Sequence, residues 1–434
     1  MKESKYNIYF THKSRSFIYN TLSCSIVACD EETIRLLRKD ELTNIAKDVI
    51  SVLQKNRFIV PQGFDELSAY RFYYNSVQYN QAPEELRLVI LPTYQCNLRC
   101  TYCFEENCKE LSDKLDSQKI HQIIQFVKSE IENSKRNYKR IALTLFGGEP
   151  FLLPNECRKL LEGISQLANS NKLEMSTSAI SNATLISDKI IDELIIPYKI
   201  RLQITLDGLK EQHDKKRIFA NGKGTFEIIN RTIDRLNKKG CSSQIDLRLN
   251  VDNQNVDTIE TVFQEYSNKT GYMYIGLLRA AGHNSCNSES CITDNDYLTK
   301  IRPKIIGTIR KYKAATRYIP FGKQRPCALV RVGCYIIDPI LDVYKCDNLV
   351  GRPEYAIGKI QDGKLIKSKA YYSQAVWSPF DNELCLSCKL LPSCGKSCAY
   401  KCLLANNDMN KPTCAMTEAQ LIARIKAYLD EQDT

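Results

Sequence analysis

From about residue 88 to about 315, short apolar runs that read as strands alternate with amphipathic stretches that read as helices. The strands fall at Leu88-Val89-Ile90-Leu91, at Ile141 to Phe146, and near 173–180, 200–206, 245–251 and 273–278. Helices fall at 116–133, 187–195, 225–238, 256–267 and 294–313. Such alternation implies a parallel sheet, open or closed as a barrel. In parallel α/β folds the chemistry collects at the carboxyl ends of strands. Three segments follow expected strands directly: a cysteine run beginning at Cys96, Gly147-Gly148-Glu149-Pro150, and Asp207-Gly208.

The first is the most informative. Cys96, Cys100 and Cys103 are separated by three residues and then two. A run this tight can wrap one iron–sulfur cube, and it supplies three thiolates where the cube has four irons. The iron left open can bind and reduce a ligand, which points to catalysis rather than electron storage. A closed zinc site is the competing reading, with Cys108 as its fourth ligand.

Composition narrows the setting. The chain has 434 residues, enough for two or three domains, with 43% hydrophobic and 26% charged residues, as in a soluble globular protein. Nothing approaches the roughly 20 apolar residues that span a bilayer, and Met1-Lys2-Glu3-Ser4-Lys5 lacks the apolar core of a signal peptide. A cytoplasmic location is expected. There, 19 cysteines are more readily thiolate ligands than a disulfide framework. Only four histidines (His12, His121, His213, His283) are present, so histidine-rich zinc chemistry is not expected. The net charge of +11 suits an acidic peptide or a nucleotide-like ligand. No run of basic residues or nucleic-acid motif accompanies it, so nucleic-acid binding is not expected.

From about 320 to 414 cysteine density rises and helical periodicity fades. Cys385, Cys388, Cys394 and Cys398 are followed by Cys414, and Cys327, Cys334 and Cys346 lie upstream. Eight thiolates suit two iron–sulfur clusters or two zinc sites. Cys402 competes with Cys398 or Cys414 as a ligand. Cys24, Cys29, Cys108, Cys157, Cys241, Cys286, Cys291 and Cys402 are left over and read mostly as inert thiols. Thr417 to Gln432 reads as a closing amphipathic helix.

The cysteine run, with aromatic Tyr102 before its last cysteine, resembles the signature of the radical S-adenosylmethionine (radical SAM) superfamily. The resemblance implies a partial (β/α)6 TIM-like barrel and a cluster whose open iron chelates the SAM amino and carboxylate groups. Reductive cleavage then gives a 5'-deoxyadenosyl radical that abstracts a substrate hydrogen. Gly147-Gly148-Glu149-Pro150 resembles the second motif of that family. By analogy Gly147 and Gly148 line the SAM methionine and Glu149 orients the loop. The Leu202–Gly208 segment resembles the family's fourth strand, where Thr205 would contact SAM. His213-Asp214-Lys215-Lys216-Arg217 resembles the segment whose arginine, here Arg217, holds the SAM carboxylate in two-point geometry. A surface helix charge is the alternative for Arg217. Asn182 and Asn250 are further candidates, with turn capping as their alternative.

The C-terminal cysteines resemble a SPASM domain with two auxiliary [4Fe-4S] clusters. The resemblance places Cys327, Cys334, Cys346 and Cys398 on the first, and Cys385, Cys388, Cys394 and Cys414 on the second. Leu341 departs from the pattern, which has glycine at that position.

Residues 1–85 read as a separate winged-helix-like domain. Tyr6 to Thr11 and Ser16 to Ala28 are expected strands. A helix opens at Asp30-Glu31-Glu32, a second runs from about Glu41 to Gln54, and Phe58-Ile59-Val60 precedes Pro61. The expected division is 1–85, a barrel over 86–315 and a SPASM region over 316–434. Many maturases of ribosomally made peptides (RiPPs) resembling this chain carry such an N-terminal domain, which binds the leader peptide by strand addition. They install thioether or carbon–carbon cross-links and draw electrons from a flavodoxin or ferredoxin. The competing subgroup is the anaerobic sulfatase maturases, in which an aspartate placed like Asp347, directly after Cys346, acts as base. A non-catalytic metal scaffold is the reading from another class.

Overall fold

In the computed structural model the described residues are 1–80, 83–103, 105, 108, 111–132, 136–278, 292, 301–312, 326–395, 397–414 and 416–432. Cys286, Cys291 and the 294–300 part of the expected helix lie outside them. Backbone packing divides the chain into two compact units. One comprises residues 1–80, 317–331 and 376–434, the other 81–316 and 332–375.

The first unit begins with β1 (Lys2–Glu3), β2 (Asn7–His12), β3 (Arg15–Asn20) and β4 (Ile26–Ala28). β2, β3 and β4 form an antiparallel sheet, and β1 pairs with β5 (Ile59–Val60). The expected single strand from Ser16 to Ala28 is broken by a turn whose backbone closes on the Asn20 side chain. Helices α1 (Glu31–Arg38), α2 (Lys47–Lys55) and α3 (Glu66–Gln78) follow. Asp30 caps α1 through the Thr33 N–H, and Asp65 caps α3 through Leu67 and Ser68. Both faces of the sheet are covered. Ile18 packs with Leu36, Leu37, Leu53 and Phe58 on the α1–α2 side. Ile8, Phe10, Phe17 and Tyr19 pack with Leu390, Met416, Leu421 and Ile425. The last two come from the C-terminal helix, Glu418–Gln432. Burial on two sides explains why these strands read as near-continuous apolar runs.

The second unit is built on six parallel strands. These are β6 (Glu85–Ile90), β7 (Arg140–Leu145), β8 (Glu174–Ser181), β9 (Arg201–Leu206), β10 (Ile245–Val251) and β11 (Tyr272–Leu277). They lie side by side in chain order, each hydrogen-bonded to the next. A doubly wound sheet reverses its order; this one does not, which is the order of a barrel. It is partial, because β6 pairs not with β11 but, in parallel, with β12 (Cys334–Ile337). The sheet then continues antiparallel through β13 (Asp342–Tyr344), β14 (Gly358–Gln361) and β15 (Lys364–Lys367).

Crossovers between neighbours in this order place the helices on one face. They include α4 (Ser117–Glu132), α5 (Pro154–Ser170), α6 (Asp188–Ile190, continued by a π-type turn to Ile195), α7 (Lys210–Lys216), α8 (Phe226–Lys238) and α9 (Ile259–Tyr266). Most strand residues on that face are aliphatic and buried to 1% exposure or less, such as Leu143, Ala179, Ile204 and Leu249, with Thr177, Ser181 and Met273 buried among them. The opposite face is polar. Thr144 and Ser178 hydroxyls meet at 2.9 Å, and the Tyr274 hydroxyl donates to Gln203 at 2.5 Å. A parallel sheet with one apolar and one polar face is what an open barrel with a solvated lumen requires. Among the described residues no helix is long and apolar enough to cross a membrane.

Candidate functional site

The cysteine run lies just past β6, and the backbone fastens it on two sides. On one side, Arg99 and Thr101 donate N–H bonds to the carbonyls of Ile218 (2.7 Å) and Lys216 (3.0 Å). The run is thereby laced to the segment that carries Arg217. On the other side, Gly148 and Glu149 N–H groups donate to the carbonyls of Thr93 and Gln95. A Cβ on Gly148 would lie 2.1 Å from the Gln95 oxygen, and one on Gly147 2.6 Å from the Thr93 oxygen. Gly147 also has φ +106°, open to glycine. The close approach that demands these two glycines is thus made by the chain's own 93–95 backbone, which seats Cys96.

Glu149 is fully buried and acts as a node. Its carboxylate accepts from the Phe151 N–H (3.1 Å), the Ser181 hydroxyl (2.8 Å) and the Asn182 N–H (2.8 Å), tying the end of β7 to the end of β8. Burial pushes its carboxyl up to about 7, against those donors. Asn182 reaches the cluster loop itself. Its amide donates to Asn97 Oδ1 at 2.9 Å and to Cys96 Sγ at 3.7 Å.

Cys96 Sγ also accepts from the Leu98 N–H at 3.4 Å. Burial pushes its thiol up to about 12, and the neighbouring Cys100 and Cys103 thiols add to the shift. Three mutually repelling sulfurs, one with two N–H donors, suit a metal-bound thiolate set whose charge the metal offsets. Cys108 is committed elsewhere. Its Sγ lies 3.7 Å from the Val350 carbonyl and would meet a Cβ on Gly351 at 2.3 Å. The fourth zinc ligand weighed above is therefore packed into the wall. Among the described residues no three His, Cys, Asp or Glu side chains converge closely enough to hold a single metal ion.

Behind the run is a buried polar network. The Tyr102 hydroxyl donates to Asp207 Oδ2 at 2.6 Å and accepts from Arg217 Nη1 at 3.1 Å and Asn250 Nδ2 at 3.0 Å. Asp207 Oδ1 and Arg217 Nε are buried with no hydrogen-bond partner among the described residues. A carboxylate oxygen and a guanidinium N–H left open on two residues joined through the Tyr102 hydroxyl can receive a zwitterionic ligand. Although desolvation works against it, Arg217 is held above its ordinary pKa by Tyr102, Cys100 and Asp207. Thr205 is buried one residue pair before this point, opposite Arg248 in the adjoining strand.

The alignment of Asp207 with Arg217 depends on His213, which is fully buried. Its Nδ1 accepts the Asp207 N–H (3.3 Å), and its Nε2 meets Thr225 Oγ1 (2.9 Å). That hydroxyl donates to the Arg217 carbonyl (2.7 Å), which assigns the proton to Nε2. Burial, with Arg217 and Lys216 nearby, keeps His213 well below its usual pKa and hence neutral. A second buried contact joins Lys216 to Asp252. Asn255 donates to the carbonyls of Asp207 and Asn250, both at 2.8 Å. Asp252 and Asn255 were not singled out from sequence, where each looks like an ordinary surface polar residue, and His213 entered there only as the first residue of the segment that carries Arg217.

In the cysteine-rich segments, Cys334 opens β12 and Cys346 precedes a short 3-10 turn, both in the second unit. Asp347 is exposed at the start of that turn. Cys327 and Cys398 belong to the first unit. So do Cys385, Cys388 and Cys394, on short helical turns around Leu390 and Leu391. Cys414 is exposed, and Cys402 is fully buried one helical turn past Cys398. Cys157, Cys241 and Cys108 are buried, while Cys24 and Cys29 are part-buried.

Strand order, the cysteine run and the polar network together define a radical SAM domain. Residues 90–265 match the family model "Radical SAM superfamily". It is 24% identical over 343 residues to a cysteine-type anaerobic sulfatase-maturating enzyme of Clostridium novyi (strain NT), covering 73% of this chain and 88% of that protein. Among solved structures it is similar to native anSMEcpe with bound AdoMet (TM-score 0.65, 20% identity, 80% of this chain and 98% of the other). It is also similar to Streptococcus suis SuiB bound to precursor peptide SuiA (TM-score 0.58, 13% identity, 96% and 100%). At these identities the structural likenesses show the fold.

Proposed function

We propose that the protein is a radical SAM peptide maturase that removes a hydrogen atom from a ribosomally made precursor peptide to install a cross-link such as a thioether. Cys96, Cys100 and Cys103 would hold a [4Fe-4S] cluster, which together with SAM would supply reductive cleavage to a 5'-deoxyadenosyl radical. The residues around it bind and orient. Arg217 would bind the ligand carboxylate, Asp207 its ammonium or a hydroxyl, and the Gly147-Gly148-Glu149 turn with Asn182 fixes the loop. The reading includes two auxiliary [4Fe-4S] clusters on the cysteine sets Cys327/Cys334/Cys346/Cys398 and Cys385/Cys388/Cys394/Cys414. The basic chain suits a small acidic reductant of the flavodoxin or ferredoxin type.

The observation that carries the peptide-maturase reading is the free edge of β4. Among the described residues it pairs only with β3. Asn20 and Ser16 bond to Ser25 and Cys29, so residues 25, 27 and 29 face β3. Ile26 and Ala28 therefore turn their N–H and C=O groups outward, ready for strand addition. A hollow lined by Arg15, Ser16, Ala28, Cys29 and Asp30 adjoins the same edge. Anaerobically reconstituted, reduced protein incubated with SAM should release 5'-deoxyadenosine and carry about twelve irons per chain, against about four for one cube. Ala28→Pro removes one outward N–H while keeping the β3 ladder. It should weaken leader binding at least tenfold and leave uncoupled SAM cleavage unchanged. No 5'-deoxyadenosine under any reductant would sink the enzyme reading.

The likeness to the Clostridium novyi enzyme over 88% of that protein, with exposed Asp347 after Cys346, favours one second reading, formylglycine formation on a sulfatase. Mass spectrometry of a sulfatase-derived cysteine peptide after turnover separates the two. The thiol becomes an aldehyde only under the second.

A further inference from the structure

Within the first unit, the Cys385–Cys398 loop is walled by the N-terminal segments. The Thr21 hydroxyl donates to the Lys389 carbonyl at 2.6 Å. Tyr70 of α3 packs with Phe380, Leu391 and Cys385, its ring 5.2 Å from the Phe380 ring and edge-on to it. Cys388 and Cys394 pack on the core that β2 and β3 contribute. Four hydroxyls are buried here without a hydrogen-bond partner among the described residues: those of Tyr6, Tyr70, Ser393 and Ser397. Tyr6 is 0% exposed and Tyr70 2%. Ser393 precedes Cys394, the Ser397 N–H donates to the Cys394 carbonyl at 3.2 Å, and Gly395 and Ser397 have left-handed backbone. The two tyrosines belong to the same neighbourhood. The Tyr6 carbonyl accepts from the N–H of Thr21, the residue that holds the Lys389 carbonyl, at 3.0 Å, and Tyr70 packs in the cluster that includes Cys385.

One orphaned hydroxyl is a packing accident; four around one thiol set call for an acceptor. Each can donate, and the thiolate and sulfide sulfurs of a cube accept. We propose that Tyr6, Tyr70, Ser393 and Ser397 donate hydrogen bonds to the sulfurs of the cluster held by Cys385, Cys388, Cys394 and Cys414, so that the N-terminal segment sets that cluster's reduction potential. This rests on the auxiliary-cluster reading above. Hydrogen bonds to cluster sulfurs stabilise the reduced form and raise the potential. The two tyrosines are positioning residues for electron flow, and the segment with the free β4 edge then also tunes a redox centre.

The test is an EPR-monitored redox titration of the full-length reconstituted chain as wild type, Tyr6→Phe, Tyr70→Phe and the double variant. Iron is counted in each. One auxiliary midpoint should move to more negative potential in each single variant and further in the double. Iron content and the midpoint of the SAM-binding cluster should stay at wild-type values. A purely structural role would change iron content instead. Unmoved midpoints at full iron content overturn the proposal. If a variant loses iron, the wild-type protein decides. Its Fe–S resonance Raman bands should shift on exchange into D2O, and unshifted bands overturn the proposal. Wild-type protein with only about four irons per chain overturns the auxiliary-cluster reading itself.

Discussion

The Tyr102 hydroxyl gives its proton to Asp207 at 2.6 Å and accepts from Arg217 at 3.1 Å. Arg217 and Asp207 thus meet through a phenol rather than as a direct ion pair, and the aromatic residue inside the cysteine run is their hinge. Tyr102→Phe leaves Asp207 Oδ2, Arg217 Nη1 and Asn250 Nδ2 without that partner. Each buried polar group left unsatisfied costs about 1–3 kcal/mol. We expect Tyr102→Phe to lose about 3 kcal/mol or more in urea unfolding, whereas Tyr73→Phe, on the exposed side of α3, stays within about 0.5 kcal/mol. A loss below about 1 kcal/mol at Tyr102 would mean that water, not the ring hydroxyl, satisfies the three groups.

Gly148 separates a packing requirement from a conformational one. Its φ is not in the left-handed region, yet a Cβ would penetrate the Gln95 carbonyl at 2.1 Å. Gly148→Ala must displace the 93–95 backbone and Cys96 with it. Reconstituted Gly148→Ala should lack the iron of the SAM-binding cluster, about four per chain. Gly63→Ala, with nothing within 4 Å of its Cβ, should keep its full complement. Iron assay and the visible charge-transfer band read both.

Much of this was legible because β6, β7, β9 and β10 are short runs with leucine, isoleucine or valine at every second position. The cysteine run and Gly147-Gly148-Glu149-Pro150 then fall at strand ends, where side chains converge. Helix α5 was missed, although Cys157, Leu160, Leu161, Ile164 and Ala168 follow the helical period. Pro154 obscures its start, and proline there occupies the first turn, where its missing N–H costs nothing. Strands β12 to β15 have three or four residues each, too few to show a period. Asp252 and Asn255 carry no local signal at all, and the His213 segment signals only its arginine; tertiary burial turns all three into struts. Leu341 was visible as a departure from a glycine pattern, and it adopts φ +68°. Its turn is held by Asp338, which accepts from the Ile340 and Asp342 N–H groups. Burial of the leucine to 5% exposure offsets the strain.

Glu149→Gln tests whether the node needs an acceptor on both oxygens. The amide keeps one oxygen for Phe151 and Ser181 but turns an NH2 toward the Asn182 N–H, replacing a hydrogen bond with two opposed donors. The cost should be about 1–3 kcal/mol. Hydrogen exchange should accelerate at the Asn182 amide and not at the Phe151 amide. Equal protection at Asn182 in variant and wild type would show that the carboxylate is not what holds the end of β8.

Asp338 predicts a pH dependence of stability with a definite sign. Burial, first, and nearby Asp342 push its carboxyl up to about 7, although the Tyr94 hydroxyl donates to it at 2.5 Å. In the unfolded chain an aspartate titrates near about 3.9. Between those values the unfolded state binds fewer protons than the folded one, so stability falls as pH rises. The contribution of the neutral acid is complete below about 4 and lost above about 7, on the order of 4 kcal/mol at most. Asp338→Asn keeps an oxygen for the Ile340 and Asp342 N–H groups and turns its amide to the Tyr94 oxygen, so the turn survives without a titrating group. Urea unfolding at pH 5 and pH 8 should show the variant gaining on wild type at the higher pH. If instead the two proteins keep a constant difference between those pH values, Asp338 is already ionised in the folded protein and Tyr94 is hydrogen-bonded to a carboxylate throughout.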